Sequence, residues 1–223
     1  MTEGESEGDD VRARTTARII ALPAIVAALL IATLLAGVAG PLSPVRLQQL
    51  IDTTPSGGVL DLAPGLYVGP ARIDRPMTLR GREGVVLDGR REGTVLTVAA
   101  DDVAVVDLMI RRSGDRADTV DAAVRVTAAR VRIEGNVIED CLYGIDLRQA
   151  DGAVVRRNRI VSMDVPEQGR GDGIRVWYST GGLFEGNDIS AVRDGFSLEA
   201  KGNRIVANTV RDSRYGVLLL YSN

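Results

Sequence analysis

The sequence predicts an all-β fold, a right-handed parallel β-helix wound in coils of about 22 residues. Three observations predict it. Asn136, Asn158, Asn187 and Asn208 fall in one column, spaced 22, 29 and 21 residues apart. Gly144, Gly173, Gly195 and Gly216 fall in a second, spaced 29, 22 and 21. Around both columns apolar residues recur at every second position, in the same register in each repeat. Period-2 alternation repeated at such a spacing requires one closed coil per repeat, each adding a strand to every parallel sheet.

The chain begins with a polar tail, residues 1–18, which holds Glu3, Glu5, Glu7, Asp9 and Asp10 and then Arg12, Arg14 and Arg18. Residues 19–40 follow, apolar except for Thr33. Arginines before an apolar run keep that side cytoplasmic, so the tail is expected inside and everything after residue 40 exported. Two readings of the run stay open. Small residues at Gly37 and Ala39 suit a cleaved signal peptide, while its length suits a membrane-spanning anchor. Residues 41–58 read as a linker and a capping helix. Ser43 suits the N-cap and Pro44 the first helical position, with Val45, Leu47, Leu50 and Ile51 as apolar contacts. Such a helix would cover the open end of a solenoid.

Residues 59–223 are the β-helix, with room for roughly seven coils. The inward positions fix the register. Three before each Asn stand Ile133, Val155, Phe184 and Ile205, and two after it Ile138, Ile160, Ile189 and Val210. One after each Gly stand Ile145, Ile174, Phe196 and Val217, and three after it Leu147, Val176, Leu198 and Leu219. One insertion within residues 162–172 explains both long spacings. Upstream, Val103, Val105 and Ile110 continue the strands around the Asn, with Leu108 in the Asn column. Leu96, Val98, Val124 and Val126 continue those after the Gly, and Ser113–Thr119 reads as a second surface loop. Asn tolerates left-handed corners, and its stacked amides can bond from coil to coil. The Gly column fits a second corner that needs positive φ or close backbone approach. The last strand, Val217–Tyr221, is apolar on both faces, so end-to-end self-association is expected there.

Composition narrows the chemistry. Hydrophobic residues make up 45% and aromatics only 4%, so the core is aliphatic. Beyond residue 40 acids and bases nearly balance, which leaves no electrostatic footprint for nucleic acid. There is no histidine, and the single cysteine, Cys141, forbids an internal disulfide.

Two outward sets are candidate sites. On the strand after the Gly, Asp146, Arg148, Arg175, Trp177 and Glu199 form a ladder, with Trp177 between Arg148 and Glu199 and with Asp146 beside Arg175. One reading is a recognition strip for a sugar or a protein partner. The other is a solvated face with cross-strand ion pairs. Just before the Gly stand Tyr143, Asp172, Asp194 and Tyr215. Asp172 and Asp194 read either as turn chemistry or as a carboxylate pair for acid/base work or calcium. No catalytic residue and no metal site is assigned.

The coils RGDGIRVWYS, VRDGFSLEA and SRYGVLLLYSN, with the lead-in LDLAPGLYVGPARIDRPMTLRG, resemble those of NosD proteins, the β-helical family that helps mature nitrous-oxide reductase. The resemblance covers residues 45–223. It implies an extracytoplasmic, non-catalytic accessory protein that works beside an ABC transporter and a copper enzyme. Copper enters only through this resemblance. Leu218 and Leu220 stand where the family usually carries histidine, and the family usually continues for more coils, so the expectation is a truncated relative. The alternative class is a carbohydrate-binding or polysaccharide-modifying β-helix protein.

Overall fold

The computed structural model describes residues 45–221. The tail, the apolar run at 19–40 and the Ser43–Pro44 pair lie outside the described residues. Among those described, no helix is long and apolar enough to cross a membrane. The chain enters through a short strand, β1 (Val45–Arg46), and a helix, α1 (Leu47–Thr53). Seven coils of three strands follow. The first is β2 (Val59–Asp61), β3 (Gly65–Val68) and β4 (Ala71–Ile73); the second is β5 (Thr78–Arg80), β6 (Val85–Asp88) and β7 (Leu96–Val98). The third is β8 (Ala104–Val106), β9 (Met109–Arg111) and β10 (Ala122–Val126). The fourth is β11 (Arg132–Glu134), β12 (Val137–Cys141) and β13 (Tyr143–Arg148). The fifth is β14 (Val154–Arg156), β15 (Arg159–Ser162) and β16 (Ile174–Thr180). The sixth is β17 (Leu183–Glu185), β18 (Asp188–Ser190) and β19 (Asp194–Lys201), and the seventh β20 (Arg204–Val206), β21 (Thr209–Arg211) and β22 (Tyr215–Leu219).

Each strand of a coil joins a different sheet, and every pairing is parallel. The first sheet stacks β2, β5, β8, β11, β14, β17 and β20, and the second β3, β6, β9, β12, β15, β18 and β21 with β1 on its edge. The third, from β4 to β22, carries the strands after the Gly column. Ile133 pairs with Val155, Ile138 with Ile160 and Ile145 with Ile174, so like residues stack on like. The twelve inward residues of the fourth to sixth coils are buried. In the seventh, Val217 and Leu219 are 46% and 60% exposed, because no coil in the described chain lies beyond them.

Two expectations are corrected, and of the two readings of the Gly column close approach is the one found. The left-handed corner residue is not the Asn but the one before it: Gly135, Arg157, Gly186 and Ala207 have φ of 67°, 54°, 63° and 52°. The turn swings the Asn inward instead. Asn136, Asn158 and Asn187 are buried, and the Oδ1 of each following Asn accepts both the backbone N–H and the side-chain amide of the one before it, at 2.8–3.0 Å. Each Nδ2 also donates to a carbonyl of the preceding coil. The Gly column, in turn, takes no positive φ. Gly144, Gly195 and Gly216 lie inside strands and Gly173 just before one. Gly144, Gly173 and Gly195 are needed for close approach, since a Cβ on Gly195 would stand 2.5 Å from the Gly216 carbonyl oxygen and one on Gly173 2.9 Å from that of Gly195, while a Cβ on Gly216 would meet no atom within 4 Å.

The second correction is at the N-terminal end. Val45 belongs to β1, and α1 starts at Leu47 with Arg46 at its N-cap and no side-chain cap bond. The helix still covers the end of the core, burying Leu47 and Ile51. Gln48 blunts the free edge of β4 as a further strand would: its Oε1 accepts from Arg72 N–H at 2.7 Å and its Nε2 donates to Arg72 C=O at 3.1 Å.

Candidate functional site

The site lies on the outer face of the third sheet, where the strands are longest. β13, β16 and β19 are paired on both sides, which leaves only their side chains for recognition. Trp177 stands in register with Arg148 before it and Glu199 after it, and Asp146 with Arg125 before and Arg175 after. Asp146 points outward yet is fully buried, because three arginines close over it. Arg125 Nε and Arg148 Nε donate to its Oδ2 at 3.0 and 2.8 Å, and Arg175 Nη1 reaches Oδ1 at 3.4 Å. One carboxylate among three guanidiniums leaves two positive charges uncompensated by it.

The aromatic part adjoins this cluster. The Arg175 guanidinium carbon lies 3.5 Å from the centre of the Trp177 ring, a cation–π contact. Tyr178 meets Trp177 edge to face, with centroids 6.1 Å apart and planes at 74°. Tyr178 is 61% exposed and its backbone is left-handed, with φ of 50°. The Tyr178 hydroxyl is hydrogen-bonded to Glu199, which holds its proton above the usual phenol range. Beside it a cleft of about 270 Å³ is lined by Tyr178, Glu199, Lys201 and Tyr221. The Trp177 indole N–H is covered and has no acceptor among the described residues.

All five residues of the expected ladder are therefore neighbours. Sequence reasoning missed Arg125 and Tyr178. Arg125 carried a signal, standing 21 residues before Asp146 in the same outward column. It also ties down the loop at 113–121, donating through Nη2 to the carbonyls of Thr119 and Val120 at 2.7 Å each.

Asp172 and Asp194 form no open carboxylate pair. Both are buried, and each is clamped by the arginine before the Gly of the next coil: Arg193 Nη2 to Asp172 at 2.9 Å and Arg214 Nη2 to Asp194 at 2.7 Å. Burial pushes the Asp172 carboxyl up, against the pull of Arg193. The insertion between β15 and β16 packs Met163 and Val165 beside Leu142 and Tyr143, walling this end of the face. The R-D-G motif is a staple between coils.

The residues present do not fit a copper site. Cu(I) requires soft sulfur or imidazole ligands. Cys141 is buried, and burial pushes its thiol up to about 12. Among the described residues no three His, Cys, Asp or Glu side chains lie together as a metal-binding group. In competition with a strong Cu(I) chelator, the chain is expected to retain less than one copper per molecule. One tightly held equivalent, lost in Cys141→Ala, would refute this.

Two comparisons with known proteins bear on the whole. The family model for the right-handed β-helix region matches residues 104–223. A protein of Pseudomonas aeruginosa named "Probable ABC transporter binding protein NosD" is 36% identical over 141 residues, 62% of this chain and 33% of the relative. Its namesake from Stutzerimonas stutzeri is 30% identical over 137 residues, 60% and 31% of the two chains. The chain thus spans about a third of the length of the curated relatives it matches.

Proposed function

Because this chain belongs to the family of right-handed β-helix proteins and is similar to NosD proteins, we propose that it is an exported, non-catalytic accessory protein that binds an ABC transporter and serves the assembly of a copper enzyme. The similarity to proteins named for transporter binding carries this reading. The unbroken stack of stapled coils supports it: among the described residues the buried carboxylates Asp146, Asp172 and Asp194 are each engaged by arginines, which suits a scaffold rather than a catalyst. Copper in this reading is cargo handled by the partners. Residues 19–40 would export the chain and, if uncleaved, hold it at the membrane. Affinity purification of the full chain in detergent, co-expressed with the ABC transporter encoded nearest its gene, is the test. Co-elution in a fixed ratio is expected; separate elution at micromolar concentrations would overturn the reading.

A second reading, a carbohydrate-binding β-helix, is favoured by one observation, the ring pair of half-buried Trp177 and exposed Tyr178 at the outer sheet face. Gene neighbourhood separates the two, with transporter and reductase genes favouring the first and polysaccharide genes the second.

A further inference from the structure

We propose that the outer face of the second sheet, over its first four coils, rests on a lipid layer, with Leu66, Val86, Met109 and Val137 turned into it. This rests on the reading that residues 19–40 hold the chain at a membrane, and it adds the face that the fold presents there.

Pattern is the first observation. On the second sheet one outward column is apolar for four coils running: Leu66 pairs with Val86, Val86 with Met109 and Met109 with Val137. All four are half-buried. The column then turns polar at once, to Arg159, Asp188 and Thr209. The inward column beside it does not change, continuing from Leu87, Ile110 and Ile138 to Ile160, Ile189 and Val210. The switch at the fifth coil therefore concerns the surface alone, and core packing does not explain it.

Shape and chemistry are the second. The turn between β5 and β6 runs over residues 81–84, whereas the same turn is 107–108 and 135–136 in the next two coils. Arg82 and Glu83 stand in this longer turn, beside a groove of about 350 Å³ along Val86, Met109 and Val137. β6, β9 and β12 are paired on both sides, so no strand edge is open to an added peptide. The column holds no aromatic ring and no polar side chain. A protein interface draws on hydrogen bonds and aromatic anchors. Lipid chains need neither, and being fluid they fill a shallow groove. Charge around the groove is balanced, with exposed Arg82 and Arg159 against exposed Glu83 and Asp107, and Arg111 beside Glu139. Apolar burial, not headgroup charge, is then what the face offers.

Position is the third. β1 is the edge strand of this same sheet, Val45 and Arg46 pairing with Tyr67 and Val68. The apolar run ends at residue 40, within about 17 Å of extended chain from Val45. An anchor there enters the fold through the second sheet, at the end where the apolar column starts.

Cys141 is buried and its thiol is pushed up to about 12, so a cysteine placed on the surface is the one that reacts. Full-length chains with Val86→Cys, Met109→Cys or Leu183→Cys are labelled with an environment-sensitive fluorophore and reconstituted into phosphatidylcholine vesicles. Leu183, equally half-buried but on the first sheet, is the control. Labels at 86 and 109 are expected to shift to the blue and to lose emission when the lipid chains carry nitroxide quenchers, while the label at 183 does neither. High salt, or phosphatidylglycerol in place of half the lipid, should leave this unchanged. Two labelled positions keep the test decisive if one variant does not fold. Vesicles that float with the chain but quench neither position would overturn the docking and leave the anchor standing. A blue shift without quenching would mean that protein covers the face, and equal quenching at 183 that no face is preferred; either overturns the proposal. A need for anionic lipid would overturn the apolar contact. A chain that does not float with the vesicles would overturn both readings.

Discussion

Ile174→Asp is expected to cost about 5 kcal/mol or more, enough to unfold a protein whose stability lies in the usual range of about 5–15 kcal/mol. Ile174 is fully buried, stacked between Ile145 on the coil before and Phe196 on the coil after. The change removes a packed aliphatic side chain, worth about 2–5 kcal/mol with its cavity. It also places a carboxylate where no inward residue offers a donor, a further penalty of several kcal/mol. Its outward neighbour in sequence, Arg175, faces the opposite side of the same strand, so the effect depends on register alone. Tyr178→Asp, on an exposed ring, is the comparison and should change stability by no more than about 1 kcal/mol. Thermal melts followed by circular dichroism decide. A variant at 174 that melts like the parent would mean that the residue does not face the core.

That register was legible because a solenoid repeats its own evidence. An inward position is written once per coil, so Ile133, Val155, Phe184 and Ile205 confirm one another as no single strand does. The corner residues were not legible. Gly135, Arg157, Gly186 and Ala207 share a left-handed conformation but no chemistry, while the Asn after them shares chemistry and so drew the conformation to itself. The start of α1 was misplaced for a related reason. Ser43 and Pro44 carry a local capping signal, but Val45 and Arg46 are pulled into pairing with Tyr67 and Val68 of β3.

The candidate site was legible in part. The alignment placed Trp177 between Arg148 and Glu199, because parallel register preserves columns. It could not show that Asp146 is buried, since an outward carboxylate is covered only when neighbouring arginines fold over it. Nor did it show that Asp172 and Asp194 are stapled. The sign lay in the motif itself: the Arg of one R-D-G or R-Y-G unit reaches back to the Asp of the previous unit, about one coil away. Read within a single coil, that Asp looks free.

Asn158→Ala is expected to cost about 3–5 kcal/mol, far more than the same change at Asn208. Asn158 is buried, and its Oδ1 accepts the backbone N–H and the side-chain amide of Asn136 at 2.9 and 3.0 Å. Its Nδ2 donates to Ile133 C=O at 2.9 Å and to Asn187 Oδ1 at 3.0 Å. Truncation strands two donors of Asn136 and the Ile133 carbonyl in a dry interior, at about 1–3 kcal/mol for each group left unpaired. Asn208 makes the same kinds of bond to Asn187 and Phe184, but it is half-buried at the last described corner, where water can replace the lost partner. Its loss should cost about 1 kcal/mol. Asn158→Asp separates hydrogen bonding from packing, because it keeps the shape. As a carboxylate it would turn oxygen toward the Ile133 carbonyl and Asn187 Oδ1, so burial and those acceptors should raise its folded pKa. Stability would then be greatest below the unfolded value of about 3.9 and would fall as pH rises through the folded one. Chemical denaturation of the three variants at two pH values tests this. Equal losses at positions 158 and 208, or an aspartate variant indifferent to pH, would show that the ladder contributes shape rather than bonded stability.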